Sequence, residues 1–223
     1  MIHYRWNFAP VWDNLDVLAV GALGTLQLFA ICAALGLSLG LFVGWVRYSG
    51  SKLPSLLAIS FIEFFRNTPV LVQILWFYYA LPLLINVDIK PMMAAILGIS
   101  LNSAAFSAEI YRGGIQSIEK GQWEGAKALG MTLSQALRRV VFPQAFRRML
   151  PALTNRMIEI FKMTTLASAV AYVELLQQGK LLSSLNFNPI ETYTVVAIVF
   201  FLCLLPLVQA TYFLERRLGR SDQ

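Results

Sequence analysis

The sequence predicts an all-α integral membrane protein with about five transmembrane helices, and two observations support this prediction. Hydrophobic residues make up 57% of the 223 residues and charged residues only 13%, whereas about 25% of the residues of a soluble domain are charged. A helix crosses a bilayer with about 20 mainly apolar residues, and five stretches of the chain have suitable length and character. They are residues 17–46, 53–84, 91–108, 150–173 and 192–214.

The five stretches differ in the charged residues that they contain. The first and the last contain none, the second is interrupted by Glu63 and Arg66, and the fourth carries Arg156, Glu159 and Lys162. A charge at membrane depth costs several kcal/mol unless it faces protein or water, so the fourth stretch is the least typical span. The first is too long for the apolar core of a secretory signal, and we expect it to remain in the mature protein.

The residue content argues against several kinds of active site. The only histidine is His3, so a Ser/His/acid triad and a His/Cys metal cluster are not expected. Cys32 and Cys203 lie in apolar stretches and are predicted to be small hydrophobic residues. The chain contains no G-x-x-x-x-G-K-[ST] phosphate loop. We therefore predict no catalytic site, no metal site and no cofactor in this chain.

The distribution of basic residues predicts the orientation in the membrane. One side carries Arg47, Lys52, Arg112, Lys120, Lys127, Arg138, Arg139, Arg147, Arg148, Arg216, Arg217 and Arg220. The other side carries Arg5, Lys90 and Lys180. The positive-inside rule therefore predicts an external N-terminal tail (1–16), a membrane domain (17–214) with a cytoplasmic loop at about 112–148, and a cytoplasmic tail (215–223). This sorting also argues against nucleic acid as the reason for the net charge of +6.

The cytoplasmic loop contains local signals for two short helices. Residues 119–129 are predicted to be helical, and Gly130 suits the left-handed conformation just past a helix end. Thr132 and Gln135 fit a capping box that opens a second helix, which Pro143 is expected to kink or stop. The loop is therefore predicted to be two short helices joined by a glycine turn. From local signals alone, a solvated amphipathic connector remains the alternative.

Seven residues of this loop form a wider pattern. They are Glu124, Gly125, Ala126, Gly130, Val140, Phe142 and Pro143. Their spacing resembles the EAA loop of ATP-binding cassette (ABC) importer permeases, which reads E-A-A, a glycine four residues later and I-x-L-P ten residues beyond it. Gly125, Val140 and Phe142 depart from the residue types of that pattern, and Gly125 is expected to loosen the helix by up to about 1 kcal/mol relative to alanine.

Three other segments resemble the polar amino acid branch of these permeases. They are FFRNTPVLVQILWFYYALP (64–82), AAFSAEIYRGGIQSI (104–118) and KMTTLAS (162–168). Together with the loop they extend the resemblance over about residues 21–217. It implies the type I ABC importer permease fold in a bacterial inner membrane, with a periplasmic N-terminus and a cytoplasmic C-terminus.

The resemblance also implies partners and a coupling helix. Residues 116–132 would dock into a groove on an ATPase subunit, and a rigid helix can transmit a rigid-body shift. The implied coupling residues are Gly121, Glu124, Gly125, Ala126, Leu129, Gly130 and Pro143. The implied partners are a second permease subunit, identical or paralogous, two ATP-binding cassette ATPase subunits that hold ATP and Mg, and a periplasmic amino-acid-binding protein.

A proline interrupts the second stretch near its middle. Pro69 cannot donate a hydrogen bond to the carbonyl of Phe65, so we expect the helix to open and to expose backbone polarity at mid-depth. Broken helices often border substrate sites in transporters. The pathway candidates here are Arg66, Thr68, Pro69 and Gln73. The alternative is a packing kink in which Arg66 pairs with Glu63.

The fourth stretch supplies further pathway candidates. Asn155, Glu159, Lys162 and Leu166 share one helical face and are expected to point into the protein. Near the predicted midplane, the ammonium of Lys162 and the hydroxyls of Thr164 and Thr165 are suited to a substrate carboxylate. The family usually has an acidic residue where Met163 stands. The alternative is a structural network of Arg156, Glu159 and Lys162.

The third stretch contributes two polar residues near mid-depth, Asn102 and Ser103, which complete the predicted pathway. Glu109 and Arg112 lie closer to the cytoplasm and are expected to be structural ion-pair partners. The segment from Glu174 to Glu191 is expected to face outside, where a soluble binding protein would dock.

These observations favour an ATP-driven importer of a polar amino acid. Basic side chains at mid-depth favour glutamate, aspartate or glutamine, although the binding protein can decide selectivity. A basic amino acid such as histidine or arginine is the alternative substrate. A secondary transporter and a non-transporting membrane scaffold are the alternative functions.

Overall fold

The computed structural model describes Tyr4, residues 6–48 and residues 52–219, and every regular element in this part of the chain is a helix. The helices are α1 (Ala9–Trp12), α2 (Leu15–Tyr48), α3 (Lys52–Asn67), α4 (Val70–Leu75), α5 (Leu81–Ile85), α6 (Pro91–Gln116), α7 (Lys120–Ala128), α8 (Leu133–Ala136), α9 (Phe142–Met163), α10 (Leu175–Asn186) and α11 (Pro189–Gly219). Two π-helical turns, Trp76–Ala80 and Leu137–Val141, and a 3₁₀ segment, Thr164–Val170, connect neighbouring helices. His3, Arg5 and Arg220, which entered the sequence predictions, lie outside the described residues.

Among the residues that the structure describes, three helices are long and apolar enough to cross a membrane: Leu15–Arg47, Pro91–Gln116 and Pro189–Leu214. They correspond to the first, third and fifth predicted stretches. The second stretch forms the pair Lys52–Asn67 and Val70–Ile85, which passes the same test together but is bent by 104°. The fourth stretch forms α9 and the 3₁₀ segment, and α9 with its charged residues does not meet this criterion. The predicted all-α membrane fold is confirmed.

Both π-helical turns are followed by a proline. Pro82 comes two residues after Trp76–Ala80, and Pro143 comes two residues after Leu137–Val141. A proline has no N–H to donate and its ring crowds the carbonyl four residues earlier, and a wider turn at that carbonyl accommodates the ring. Pro143 is expected to kink or stop the second loop helix; a stop is wrong, because the chain continues through the π-helical turn into α9.

The chain divides into two compact units. The first comprises Met1–Ala34, Thr68–Ser100 and Ile158–Pro206, and the second comprises Leu35–Asn67, Leu101–Met157 and Leu207–Gln223.

The first unit contains two apolar cores. One is built around Leu28, Cys32, Ile74, Ile99 and Ile160, and the other around Val11, Leu18, Leu175, Val195 and Val196. Cys32 is fully buried, as predicted for a small hydrophobic residue. Gly24 allows close backbone approach, because a Cβ atom at this position would lie 2.1 Å from the carbonyl oxygen of Val173.

The second unit has an apolar core below the coupling loop. Its buried members are Ile118, Val141, Ala145, Met149 and Leu153, and Trp123 and Leu137 pack against them. Within the same unit α2 approaches α6 closely at Gly40, where a Cβ atom would lie 2.6 Å from the Ser107 Cβ. This core fixes one side of the loop that the sequence predicts to be functional.

Candidate functional site

The helix α7 ends in a tight turn around Gly130. Gly130 has a φ of 71°, in the left-handed region that favours glycine. Its N–H donates to the Lys127 carbonyl at 3.0 Å, and the Met131 N–H donates to the Ala126 carbonyl at 3.1 Å. These two hydrogen bonds form a Schellman motif. The glycine turn predicted from the sequence is confirmed.

A capping box begins α8 directly after this turn. The Gln135 N–H donates to Thr132 Oγ1 at 3.3 Å, and the Thr132 N–H donates to Gln135 Oε1 at 2.9 Å. Both bonds satisfy backbone donors that a helix start otherwise leaves to water. The predicted capping box is therefore confirmed. We refer to residues 120–136, which comprise α7, the glycine turn and α8, as the coupling segment.

One side of the coupling segment is packed and the other is open. Ala126 is only 3% exposed, and Trp123 packs against the core of the second unit. The remaining candidate coupling residues are exposed: Gly121, Glu124, Gly125, Leu129, Gly130 and Pro143. Leu129 is 78% exposed, which is a large exposed fraction for an apolar side chain. The open side therefore presents the Glu124 carboxylate on α7 and the apolar side chain of Leu129 directly after it.

Two polar contacts hold the coupling segment against α9. Gln144 Nε2 donates to Gln122 Oε1 at 3.1 Å, and Arg148 donates to the carbonyl of Ser117. The Gln144 contact is made to α7 itself, and the Arg148 contact is made to Ser117, just before α7. Together with the packing of Trp123 on the apolar core, they would pass a displacement of α7 to α9.

Amide side chains donate hydrogen bonds to the backbone carbonyls on both sides of the helix break at Pro69. In the second unit Asn102 Nδ2 donates to the Phe65 carbonyl at 2.6 Å, the carbonyl that Pro69 cannot reach. In the first unit Gln73 Nε2 donates to the Thr68 carbonyl at 3.0 Å and to Thr68 Oγ1 at 2.7 Å. The predicted opening of the helix is present. The expectation of exposed backbone polarity at Phe65 is wrong, because Asn102 supplies the missing donor.

A buried arginine completes a polar cluster in the second unit. Arg156 is 2% exposed, and its Nη2 donates to Asn102 Oδ1 at 2.9 Å and to Ser103 Oγ at 3.2 Å. Its Cζ lies 4.5 Å from the ring centre of Phe106, and the Cζ of Arg66 lies 5.1 Å from the same ring centre. Both guanidinium groups are thus within cation–π range of one aromatic ring. We call Arg66, Asn102, Ser103, Phe106 and Arg156 the polar cluster.

Arg66 does not form the ion pair that the packing alternative requires. Within the described residues, Glu63 accepts a hydrogen bond from Asn67 Nδ2 at 2.9 Å. The guanidinium of Arg66 lies over the ring of Phe106 instead. The side chain of Arg66 is exposed, so it forms the accessible end of the polar cluster.

Two members of the polar cluster were not predicted as site residues. Arg156 entered the sequence reasoning only as a charge of the fourth stretch and as a structural partner of Glu159 and Lys162, and Phe106 entered it only within the segment 104–118. Asn102 and Phe106 are four residues apart in α6 and therefore share a helical face. This spacing is the one sequence signal that places Phe106 beside Asn102. It does not show that Arg66 and Arg156 lie over the Phe106 ring.

The end of α9 differs from the expectation. Asn155, Glu159 and Lys162 are exposed on this chain and do not point into its interior. The three residues do share one face of α9, as the sequence indicates. The buried side chains of α9 lie on the opposite face. The prediction of inward orientation is thus wrong for these three residues.

The two threonines that follow Lys162 bond to the backbone. Thr164 Oγ1 donates to the Phe161 carbonyl at 2.7 Å and is fully buried, and Thr165 Oγ1 donates to the Lys162 carbonyl at 2.8 Å. Both hydroxyls compete for carbonyl groups at the point where α9 tightens into the 3₁₀ segment. Of the midplane candidates, Lys162 therefore presents the most accessible polar group.

Glu109, in the same helix as Asn102 and Phe106, pairs with two arginines. It accepts hydrogen bonds from Arg112 Nε at 3.0 Å and Nη2 at 2.6 Å, and it also pairs with Arg47. Arg112 Nη1 donates to Gln116 Oε1 at 2.6 Å. The expected pairing of Glu109 with Arg112 is confirmed.

Two acidic residues of the predicted outer segment are buried in the first unit. Glu174 accepts hydrogen bonds from the N–H groups of Leu176 and Gln177 at 2.8 and 2.7 Å, and burial raises the pKa of its carboxyl to about 7. Glu191 accepts from Tyr4 Oη and from the Asn7 N–H. These carboxylates are helix caps and anchors, so they are not themselves a docking surface.

In the described part of the chain, no three His, Cys, Asp or Glu side chains are grouped so as to hold a metal ion.

Comparison with known proteins places these features in a family. Residues 36–220 match the family model of the binding-protein-dependent transport system inner membrane component. The chain is 37% identical over 215 residues to the glutamine transport system permease protein GlnP of Escherichia coli K12, covering 96% of this chain and 98% of that one. It is 35% identical over 197 residues to the probable amino-acid ABC transporter permease protein YckA of Bacillus subtilis 168, covering 88% and 87%.

A solved structure agrees with the sequence matches. The crystal structure of an amino acid ABC transporter with histidines superposes with a TM-score of 0.91 at 32% identity, covering 96% of this chain and 100% of that one. The family match extends over most of the chain, and the similarity to these relatives extends over nearly all of it. The chain therefore belongs to the inner membrane components of binding-protein-dependent transport systems, and within them to the permeases of polar amino acid ABC importers.

Proposed function

We propose that this chain forms half of the translocation pathway of an ATP-driven importer and transmits movement from an ATPase subunit through its coupling segment. In the assembly it works with a second permease subunit, identical or paralogous, two ATPase subunits that hold ATP and Mg, and a periplasmic amino-acid-binding protein. The N-terminus is periplasmic and the C-terminus cytoplasmic.

The exposed face of α7 is the observation that carries this proposal. Leu129 and Glu124 are exposed on a helix that is closed at its C-terminal end by the Schellman motif and packed on its other side by Trp123. An exposed leucine beside a carboxylate suits a protein groove that offers both an apolar contact and a basic group. A rigid helix in such a groove moves with its partner, whereas a flexible loop would absorb the movement.

For the substrate, we propose a polar amino acid of the glutamine, glutamate and aspartate class. The polar cluster supports this class, because guanidinium groups bind carboxylates and Arg66 is the accessible one. The relation to a permease named for glutamine transport favours the same class. A basic amino acid is the second candidate, since a similar transporter was crystallised with histidines.

The coupling role is tested by substituting Glu124. Glu124→Ala should leave co-purification with the ATPase measurable and abolish ATP-dependent uptake in proteoliposomes. Asp88→Ala is the control, because Asp88 is an exposed carboxylate outside residues 116–132, the range expected to dock on the ATPase. Unchanged uptake in the Glu124 variant would refute the coupling assignment.

The substrate class is tested by ATPase stimulation in the reconstituted assembly. Glutamine, glutamate, aspartate, histidine and arginine are compared, each with the cognate binding protein. Stimulation by a member of the first three supports the proposal, and stimulation by histidine or arginine alone contradicts it. Uptake without ATP, by a chain that purifies without an ATPase, would identify a secondary transporter instead. No uptake under either condition would favour a scaffold.

A further inference from the structure

An open cavity of about 610 Å³ lies in the second unit, apart from the polar cluster. It is formed by the end of α2, Ser55 of α3, the end of α6 and the segment from Leu133 to Phe142. Most of its surface is apolar, and Leu41, Leu137 and Val141 are among the side chains that line it. A cavity of this character is suited to a hydrocarbon chain more than to an amino acid substrate.

Of the described residues, three arginines and no acidic side chain line this cavity. Arg47 and Arg112 share the carboxylate of Glu109, which lies behind them. Arg138 is exposed and forms no ion pair with any described residue. Three guanidinium groups against one carboxylate give this edge a net positive charge, with Arg138 as the member available to a ligand.

The cavity also carries an aromatic residue of the kind found at membrane interfaces. Trp45 lines it and is 67% exposed. Tryptophan is enriched at the level of the lipid headgroups, where its ring is in contact with both apolar and polar surroundings. An apolar cavity, an interfacial tryptophan and an arginine edge are therefore combined at one end of α2 and α6.

We propose that this cavity binds one anionic phospholipid of the cytoplasmic leaflet. The acyl chain occupies the apolar part, and the phosphate is held by Arg138, while Arg47 and Arg112 add positive charge to the same edge. Guanidinium groups bind phosphate through two parallel hydrogen bonds, and basic sites between helices on the cytoplasmic side bind anionic headgroups. The choice of leaflet rests on the orientation given under the proposed function, whereas the binding itself does not.

The test measures lipid retention and not transport. The complete assembly, purified in detergent, is incubated with equal amounts of phosphatidylglycerol and phosphatidylcholine and analysed by native mass spectrometry. Phosphatidylglycerol should be retained in preference to phosphatidylcholine. Arg138→Ala should lower its apparent affinity about fivefold, and Arg138→Glu should lower it further.

Arg139→Ala is the matched control, because Arg139 is an exposed arginine next to Arg138 that does not line the cavity. Retention in this variant should equal that of the unaltered protein. Equal retention of the two lipids, or equal loss in both arginine variants, would overturn the proposal. Displacement of phosphatidylglycerol by millimolar inorganic phosphate would also overturn it, since it would indicate a site for free anions.

This readout separates the lipid site from the importer assignment. Failure of lipid retention leaves the effect of Glu124→Ala on uptake unchanged, and failure of coupling leaves the lipid measurement intact. Survival of the assembly in each arginine variant confirms that a loss of lipid does not arise from unfolding.

Discussion

The coupling segment and the break at Pro69 both lie between longer helices, yet they are held by different kinds of contact. In the coupling segment the defining hydrogen bonds join close neighbours in the chain, such as Met131 with Ala126 and Thr132 with Gln135. At the break, the Phe65 carbonyl accepts a hydrogen bond from Asn102, which lies 37 positions away along the chain. Asn102 in turn accepts one from Arg156, which lies 54 positions beyond Asn102.

This difference bears on what each region can do. A segment held by local bonds keeps its shape when its surroundings move, which suits a part that transmits force. The polar cluster exists only while α3, α6 and α9 keep their positions, so its contacts change whenever these helices shift. We expect the coupling segment to move as a rigid body and the polar cluster to be rearranged during transport.

The largest effect is expected from removing the central side chain of the polar cluster. Asn102→Ala removes the donor to the Phe65 carbonyl and the acceptor of the Arg156 guanidinium, and should lower the free energy of unfolding by about 3 kcal/mol. Asn155→Ala, an exposed asparagine in α9, should change it by less than about 0.5 kcal/mol. Denaturant titration of the purified chain in detergent measures both, and equal effects would contradict a structural role for Asn102.

The next effect is expected at the left-handed residue of the coupling segment. Gly130→Ala places a Cβ atom on a backbone with a φ of 71° and should destabilise the turn by about 1.5 kcal/mol. No neighbouring atom lies within 4 Å of that Cβ, so the cost comes from the backbone alone. Hydrogen exchange of residues 120–136 should accelerate, while exchange in α6 stays unchanged. Unaltered exchange in the segment would contradict this interpretation of the turn.

A smaller local effect is expected from opening the capping box. Thr132→Ala removes the hydroxyl that accepts the Gln135 N–H and should cost about 1 kcal/mol of local stability. Ser134→Ala is the control, since Ser134 is exposed within the same short helix. Hydrogen exchange again provides the measurement. A change that spreads to the polar cluster would show that the two regions are not independent.

The smallest expected effect is a gain in the stability of α7. Gly125 lies in α7, and a Cβ atom added to it would have no neighbouring atom within 4 Å, so Gly125→Ala should stabilise this helix by roughly 0.5 kcal/mol. Alanine is also the residue of the EAA pattern at this position, so uptake should be retained. Loss of uptake with an intact assembly would reveal a partner that approaches α7 too closely for a methyl group.

The parts of the molecule that follow local rules could be predicted from the sequence. Gly130 and the Thr132 and Gln135 pair specify a helix end and a helix start through bonds to near neighbours. Pro69 breaks its helix because it lacks an N–H, and that effect is also local. The three apolar spans follow from composition alone.

The remaining parts depend on contacts that spacing along the chain does not reveal. Spacing placed Lys162 and Arg156 in one helix but did not show that the second is buried against Asn102 while the first is exposed. The general rule for proline predicted a kink or an end at Pro143, whereas the wider turn before it lets the helix continue. For Arg156 and Lys162, tertiary packing selected among conformations that the local sequence permits.

That wider turn sets the rotation of everything that follows it in α9. A π-helical turn holds about one residue more than an α-helical turn, and one residue corresponds to a rotation of about 100° around the axis. Deleting a single residue between Leu137 and Val141 would therefore swing Arg156 away from Asn102, although every member of the polar cluster would still be present. The angular setting of the Arg156 guanidinium is thus decided at Leu137–Val141, several helical turns before the chain reaches Arg156.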